Sequence, residues 1–234
     1  MSTRRALLGS LAVAAALVTG CQPSASGPSG NTNSLPDGAQ LLTKSAATMR
    51  TVDTAHFTIK VDGELPGISV QNAEGDLTRA GTAKGSGKIR ELGQLVQVDF
   101  VLTADSLYLK GPTGGFQQLP ASLTSTIYDP SAILNPDKGV AKVLGSVQGG
   151  KTESVDTVGG VEVYVVSGKV PRDVVSGLVP GITTDVTGKL SVTKDDKAQL
   201  LRAHFDVPGK DGKSSGVDVN LSDLNKPVTI NAPS

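Results

Sequence analysis

Apolar and polar residues alternate along much of this chain with a period of two, and the alternation predicts its strands. Phe57, Ile59 and Val61 interleave with His56, Thr58 and Lys60. Val96, Val98, Phe100 and Leu102 do the same around Gln97 and Asp99, and Leu107 and Leu109 flank Tyr108. Val161, Val163 and Val165 alternate with Glu162 and Tyr164 after Gly159-Gly160. The last third is the most regular. Val186, Gly188, Leu190 and Val192 share one phase, Leu201, Ala203, Phe205 and Val207 the next, and Val217, Val219 and Leu221 the last. Asp195-Asp196 and Lys210-Asp211-Gly212 supply hairpin turns between them. Gly75 to Ile89 is polar and glycine-rich, which predicts strands with turns at Gly81 and at Gly85-Ser86-Gly87.

Elsewhere the period lengthens to that of a helix. Asp37 can cap a helix that places Leu42, Ala46 and Met49 on one face. Asp129-Pro130 and Asn135-Pro136 each set a capping residue before a proline. Val140, Val143, Leu144 and Val147 then follow at amphipathic spacing, which predicts a helix from Pro136 to Val147 ended by Gly149-Gly150. A short helix is predicted from Pro171 to Val179, stopped by Pro180-Gly181.

Alternating strands joined by short turns make an antiparallel meander with one apolar face, and the helices are available to cover it. The predicted fold class is α+β: a single large curved antiparallel β-sheet with helices on its concave side. The inward set comprises Phe57, Ile59, Val61, Val96, Val98, Phe100, Leu102, Val161, Val163, Val165, Leu201, Phe205, Val217 and Val219 from the strands. Val140, Val143 and Leu144 join it from the helix. Every sheet must bury one face, so these residues form either a filled core or the wall of a cavity. Aromatics are only 3% of the chain and tryptophan is absent, and slim valine, leucine and alanine side chains can leave room between them.

The N-terminus has a separate character. Arg4-Arg5, an uncharged run from Ala6 to Val18, and Thr19-Gly20-Cys21 have the layout of a secretory signal peptide. The run is too short for the roughly 20 residues of a membrane-crossing helix. Val18-Thr19-Gly20-Cys21 resembles a bacterial lipobox, so Cys21, the sole cysteine, is the expected lipid attachment site. Residues 1–20 are then a signal peptide, 21–36 a lipidated cysteine and flexible tether rich in Ser, Gly and Pro, and 37–234 a single domain. Thr3-Arg4-Arg5 resembles a twin-arginine signal, so Sec and Tat export both stay open. Either route leads to the outer face of the cell membrane. Acyl chains are worth about 0.8 kcal/mol per buried methylene, and two or more anchor stably.

Charge and chemistry narrow the function. The chain has 22 basic and 22 acidic residues with no clustered basic stretch, which argues against nucleic acid as a partner. The two histidines, His56 and His204, lie on the polar phase of their strands with no second ligand at metal spacing, so no metal site is expected. The one Gly-x-Ser-x-Gly string, Gly212-Lys213-Ser214-Ser215-Gly216, leads from a turn into a predicted strand and not into the helix that a nucleophile elbow needs, and there is no dinucleotide loop. A non-enzyme without cofactors is expected.

Several segments go further than periodicity. Ser34-Leu-Pro-Asp37, Leu65-Pro-Gly-Ile-Ser69, Gly75-Asp-Leu-Thr78, Ile127-Tyr-Asp-Pro-Ser-Ala-Ile-Leu-Asn-Pro-Asp-Lys-Gly139 and Val166-Ser-Gly-Lys-Val-Pro171 resemble the LprG/LppX family of actinobacterial lipoproteins (LppX, LprA, LprF and LprG), its LprG members in particular. The similarity runs from about Leu35 to Val228. It implies a half-barrel of LolA/LolB-like shape whose helices enclose a hydrophobic cavity. It also implies a monomer that binds acylated lipids: phosphatidylinositol mannoside, lipomannan and lipoarabinomannan-like glycolipids, and triacylglycerol. Such a protein carries them across the cell envelope beside a major-facilitator transporter. Where relatives tend to carry tryptophan, this chain has Ser222-Asp-Leu224 and the segment around Phe116. That removes stacking platforms for sugar headgroups. Two other readings of the residues stand beside the carrier: a non-catalytic envelope scaffold or surface antigen with a filled core, and an envelope hydrolase.

Overall fold

The computed structural model describes residues 35–63, 65, 69–91, 93–123, 130–179, 182–208 and 214–233. Residues 1–34, with the expected signal peptide and Cys21, the turn at Lys210-Asp211-Gly212, the expected helix stop at Pro180-Gly181, most of Leu65-Pro-Gly-Ile-Ser69 and all of Ile127-Tyr-Asp129 lie outside the described residues.

Eleven strands form one antiparallel sheet in the order β6-β5-β4-β3-β2-β1-β11-β10-β9-β8-β7. They are β1 (Thr54–Asp62), β2 (Val70–Thr78), β3 (Ala83–Glu91), β4 (Gln94–Leu102), β5 (Ser106–Lys110), β6 (Gln117–Pro120), β7 (Gln148–Val158), β8 (Val161–Val170), β9 (Val186–Thr193), β10 (Leu200–Pro208) and β11 (Ser214–Ser222). Two meanders, β1–β6 and β7–β11, are joined by the β1–β11 pair. The sheet does not close, since β6 and β7 each have one strand neighbour. The end at which β1, β3, β5, β8 and β10 finish is called lower here, and the opposite end upper.

Three helices lie on one face: α1 (Gly38–Met49), α2 (Val140–Ser146) and α3 (Arg172–Leu178). Asp37 caps α1, its Oδ1 accepting from the Gln40 amide at 2.8 Å, a contact worth about 1 kcal/mol. Leu42, Ala46 and Met49 are buried as their spacing requires, and α1 packs against α2, β7, β8 and β9. The helix runs from lower to upper end: Gly38 meets Gly150 of β7, while the Thr48 hydroxyl donates to the Lys197 carbonyl at 2.5 Å.

Three local expectations are corrected. Gly85-Ser86-Gly87 is no turn but the middle of β3. Gly149-Gly150 does not lie between helix and strand; it is already β7, whose mostly polar sequence hid the strand. The helix expected from Pro136 starts at Val140, because Asn135 Oδ1 accepts from the amides of Asp137 (2.9 Å) and Lys138 (3.2 Å) and holds a turn there. A 3-10 turn, Pro130–Leu134, precedes it and packs on β2, α2 and α3. The Gly159-Gly160 turn stands as read: both residues have positive φ (57° and 82°), as a two-residue primed turn demands.

Fully buried apolar side chains from both meanders and the helices form one core, with Phe57, Phe205, Leu190 and Met49 among the largest. Each contributes roughly 1.5–3 kcal/mol by burial. No described helix is long and apolar enough to cross a membrane.

Candidate functional site

Register identifies the inner face. Leu221, Phe57, Gly75, Gly85, Phe100 and Leu109 form one row across β11, β1, β2, β3, β4 and β5. Val219, Ile59, Ala73, Gly87 and Val98 form the row below it. In both rows the positions on β2 and β3 carry glycine or alanine, so the middle of this face is low and the phenylalanines stand on either side of it. The Gly75–Gly85 pair approaches so closely that a Cβ on Gly75 would come within 2.7 Å of the Gly85 Cα. Such paired glycines are where a sheet bends.

Burial differs sharply between the two halves of this face. Toward the centre of the sheet, Phe57, Ile59, Val61, Phe205, Val217 and Val219 are all buried, as are Val140, Val143 and Leu144 on α2. On β4 burial fades toward the lower end: Leu102 is 4% exposed, while Phe100, Val98 and Val96 are only half-buried. Leu109 and Leu119 are likewise half-buried beside them. β5 ends at Lys110 opposite Asp99, so the lower part of β4 has β3 as its one strand neighbour. Ala73, Gly75, Gly85 and Gly87 thus form the floor, with Gly75 and Gly87 buried, of an apolar strip called the trough here, and Val96, Val98, Phe100 and Leu109 form its half-buried wall, of which Phe100 and Leu109 pack against the core. At its lower edge a pocket of about 180 Å³ is lined by Val61, Leu65, Val70, Gln71 and Arg90 among others. That is below the roughly 300–1,000 Å³ usual for small-molecule sites.

Other expected positions are corrected. Val161, Val163 and Val165 do not face inward. Val165 pairs with Ser191 and Val163 with Thr193, whereas the inner positions are Val166 opposite Leu190 and Val170 opposite Val186. Val161 is accordingly 46% exposed, Val165 is half-buried, and Val163 is buried on the outer face. β8 carries valine on both phases, so alternation could not choose between them. Leu201 is displaced by a β-bulge between Leu200 and Arg202, which gives the inner position to Leu200. The trough floor had a readable signal: Ala83, Gly85, Gly87 and Ile89 keep a period of two in which glycine replaces the apolar residue.

Charge is placed on the outer face. Asp218 accepts from Arg202 (Nε 2.9 Å, Nη2 2.7 Å) and from His204 Nδ1 at 3.1 Å. Burial pushes the Asp218 carboxyl up, but the hydrogen bonds and charges of Arg202 and His204 outweigh it and hold the group below the usual carboxylate value. His204 Nε2 also lies 3.3 Å from Asp206. His56 pairs with Asp76 at 2.9 Å. Both histidines are therefore half-buried and hydrogen-bonded to carboxylates. Among the described residues no three His, Cys, Asp or Glu side chains are grouped to hold a metal ion.

Residues 37–230 match the family model described as LppX_LprAFG lipoprotein, which covers most of the chain. The chain belongs to this family. It is 34% identical to the lipoarabinomannan carrier protein LprG of Mycolicibacterium smegmatis, over 98% of this chain and 95% of that one. The crystal structure of LprF from Mycobacterium bovis is similar, with a TM-score of 0.75 and 25% identity over 84% of this chain and 97% of that one. That of Mycobacterium tuberculosis LppX shares the fold at 17% identity and a TM-score of 0.61, over 82% and 97%. The LppX_LprAFG fold is thus a single open antiparallel sheet with helices gathered on one face.

Proposed function

We propose that this protein is a lipid carrier: it takes the acyl chains of membrane lipids against the inner face of the sheet and moves them across the cell envelope. The observation that carries this reading is the half-buried apolar wall of Val96, Val98, Phe100 and Leu109 over a glycine floor. The carrier named LprG, similar along nearly the whole chain, supports the same reading.

The energetics set what such a site reads. An acyl chain of about 15 methylenes kept from water represents roughly 12 kcal/mol at 0.8 per methylene. A hydrogen bond to a sugar adds only about 0.5–1.5 kcal/mol net. Chains therefore dominate affinity, and headgroups are read loosely. Diacylated and triacylated lipids are the proposed cargo, including phosphatidylinositol mannoside, lipomannan and lipoarabinomannan-like glycolipids, and triacylglycerol. A chain leaving a bilayer for an apolar trough changes little in free energy, so no cofactor or bond-making step is called for. Direction comes from supply and from a receiving partner, for which a major-facilitator transporter is proposed. Acylation of Cys21 holds the monomer on the outer face of the cell membrane.

The test is mass spectrometry of organic extracts from the mature domain without its lipid anchor, purified from an actinobacterial host. Stoichiometric diacyl or triacyl lipid is the expected result. An empty extract, with no uptake of added glycolipid, would favour a filled-core scaffold instead.

A further inference from the structure

Leu35, Leu95 and Phe116 are exposed apolar residues at the lower end of the sheet, Leu95 on the outer phase of β4. Leu95 is 52% exposed at the start of β4, and Phe116 is 37% exposed just before β6. Lys110 at the end of β5 places its ammonium 5.8 Å from the Phe116 ring centre. A lysine paired with an aromatic ring is suited to a headgroup boundary, with ring and stem in the apolar layer and charge in the wet one.

The chain enters the domain at this same end. The Pro36 carbonyl accepts from the Thr152 hydroxyl at 2.7 Å, and Gly38 packs on Gly150 near the start of β7. Thirteen residues separate Cys21 from Leu35 (35 − 21 − 1). Whatever course they take, they span at most about 45 Å. The upper end lies a strand length farther, roughly 30 Å for nine residues. A tether of that length reaches past either end, and the chain joins the domain at the lower one.

We propose that the lower end of the sheet is a bilayer-docking surface, with Leu95 and Phe116 entering the boundary between headgroups and acyl chains. This rests on the carrier reading and adds to it the direction from which cargo enters. A chain drawn from the bilayer between the β3–β4 hairpin and the β5–β6 connection meets Val96, Val98 and Phe100 in turn without crossing water.

The chain has no tryptophan, so single introduced ones report without background. The full-length lipidated protein is reconstituted into phosphatidylcholine vesicles containing a minority of phosphatidylglycerol and doxyl-labelled phosphatidylcholine. Leu95→Trp and Phe116→Trp are compared with Val155→Trp, an exposed site nearer the upper end. Blue-shifted emission at residues 95 and 116, quenched several-fold more than at 155, is expected. Equal quenching at all three, or none at 95 and 116, overturns the proposal; the second outcome leaves this end to a protein receptor. As an independent arm, the Leu95→Asp, Phe116→Asp double variant should retain bound lipid while transferring it between vesicles roughly tenfold more slowly. An unchanged transfer rate also overturns docking. Wild-type protein that carries no lipid would sink the carrier reading, while the quenching pattern still decides the orientation.

Discussion

Gly75 of β2 and Gly85 of β3 face each other across the inner surface of the sheet with no room for a side chain at either position. A Cβ on Gly75 would run into the Lys84 carbonyl oxygen, and one on Gly85 into that of Glu74. The pair lies between Phe57 and Phe100 in a single row, so it both lowers the floor and lets the sheet curve. Gly75→Ala and Gly85→Ala should each cost about 1–3 kcal/mol in urea unfolding, the range of overpacked sites. Gly111→Ala, with nothing within 4 Å of the added carbon, should stay within about 0.5 kcal/mol. Equal effects at all three glycines would remove the close approach as a cause of curvature.

Phe205 and Phe100 separate packed core from open wall. Phe205 is fully buried, and Phe205→Ala should cost about 3–5 kcal/mol. Phe100 is half-buried, and Phe100→Ala should cost about 1–2 kcal/mol while markedly lowering lipid retained through purification. Thermal unfolding paired with lipid mass spectrometry measures both quantities. If Phe100→Ala destabilised as strongly as Phe205→Ala and left lipid content unchanged, Phe100 would be ordinary core.

Ser45 on the buried side of α1 has a hydroxyl enclosed by protein with no hydrogen-bond partner among the described residues. A polar group in that position carries its desolvation cost without compensation, and serine is a weaker helix former than alanine. Ser45→Ala should therefore raise stability by about 1 kcal/mol in chemical denaturation. A clear loss would mean that the hydroxyl has a partner in solution.

Asp218 gives the acid limb of stability a structural origin. Its folded-state pKa is lowered, so its contribution is present above the ordinary carboxylate pKa and is lost as pH falls through the folded value. Asp195, held down by the Thr193 hydroxyl against a small desolvation cost, acts in the same direction. Unfolding free energy should be flat with respect to these groups near neutrality and decline below about pH 4. Asp218→Asn should lower stability at pH 7 and make the acid decline shallower. An unaltered slope in equilibrium unfolding from pH 7 to pH 3 would show that Asp218 does not contribute.

The sequence by itself determined the class of fold and most of its strands, because strands with one wet and one buried face write a period of two into the chain. β1, β10 and β11 and the cap of α1 at Asp37 are read directly from it, as is membership of the family, which rests on the order and spacing of many segments. Tertiary structure alone decided the phase of β8, where valines on both faces erase the pattern and the β9 register chooses Val166 over Val165. It placed Leu200 rather than Leu201 inward through a bulge, and recruited the polar β7 as an edge strand, whose exposed face need bury nothing. It also decided where the apolar face stays uncovered. Val96 and Val98 carry the same alternating signal as Ile59 and Val61, and a side chain's own identity cannot record whether another part of the chain packs over it.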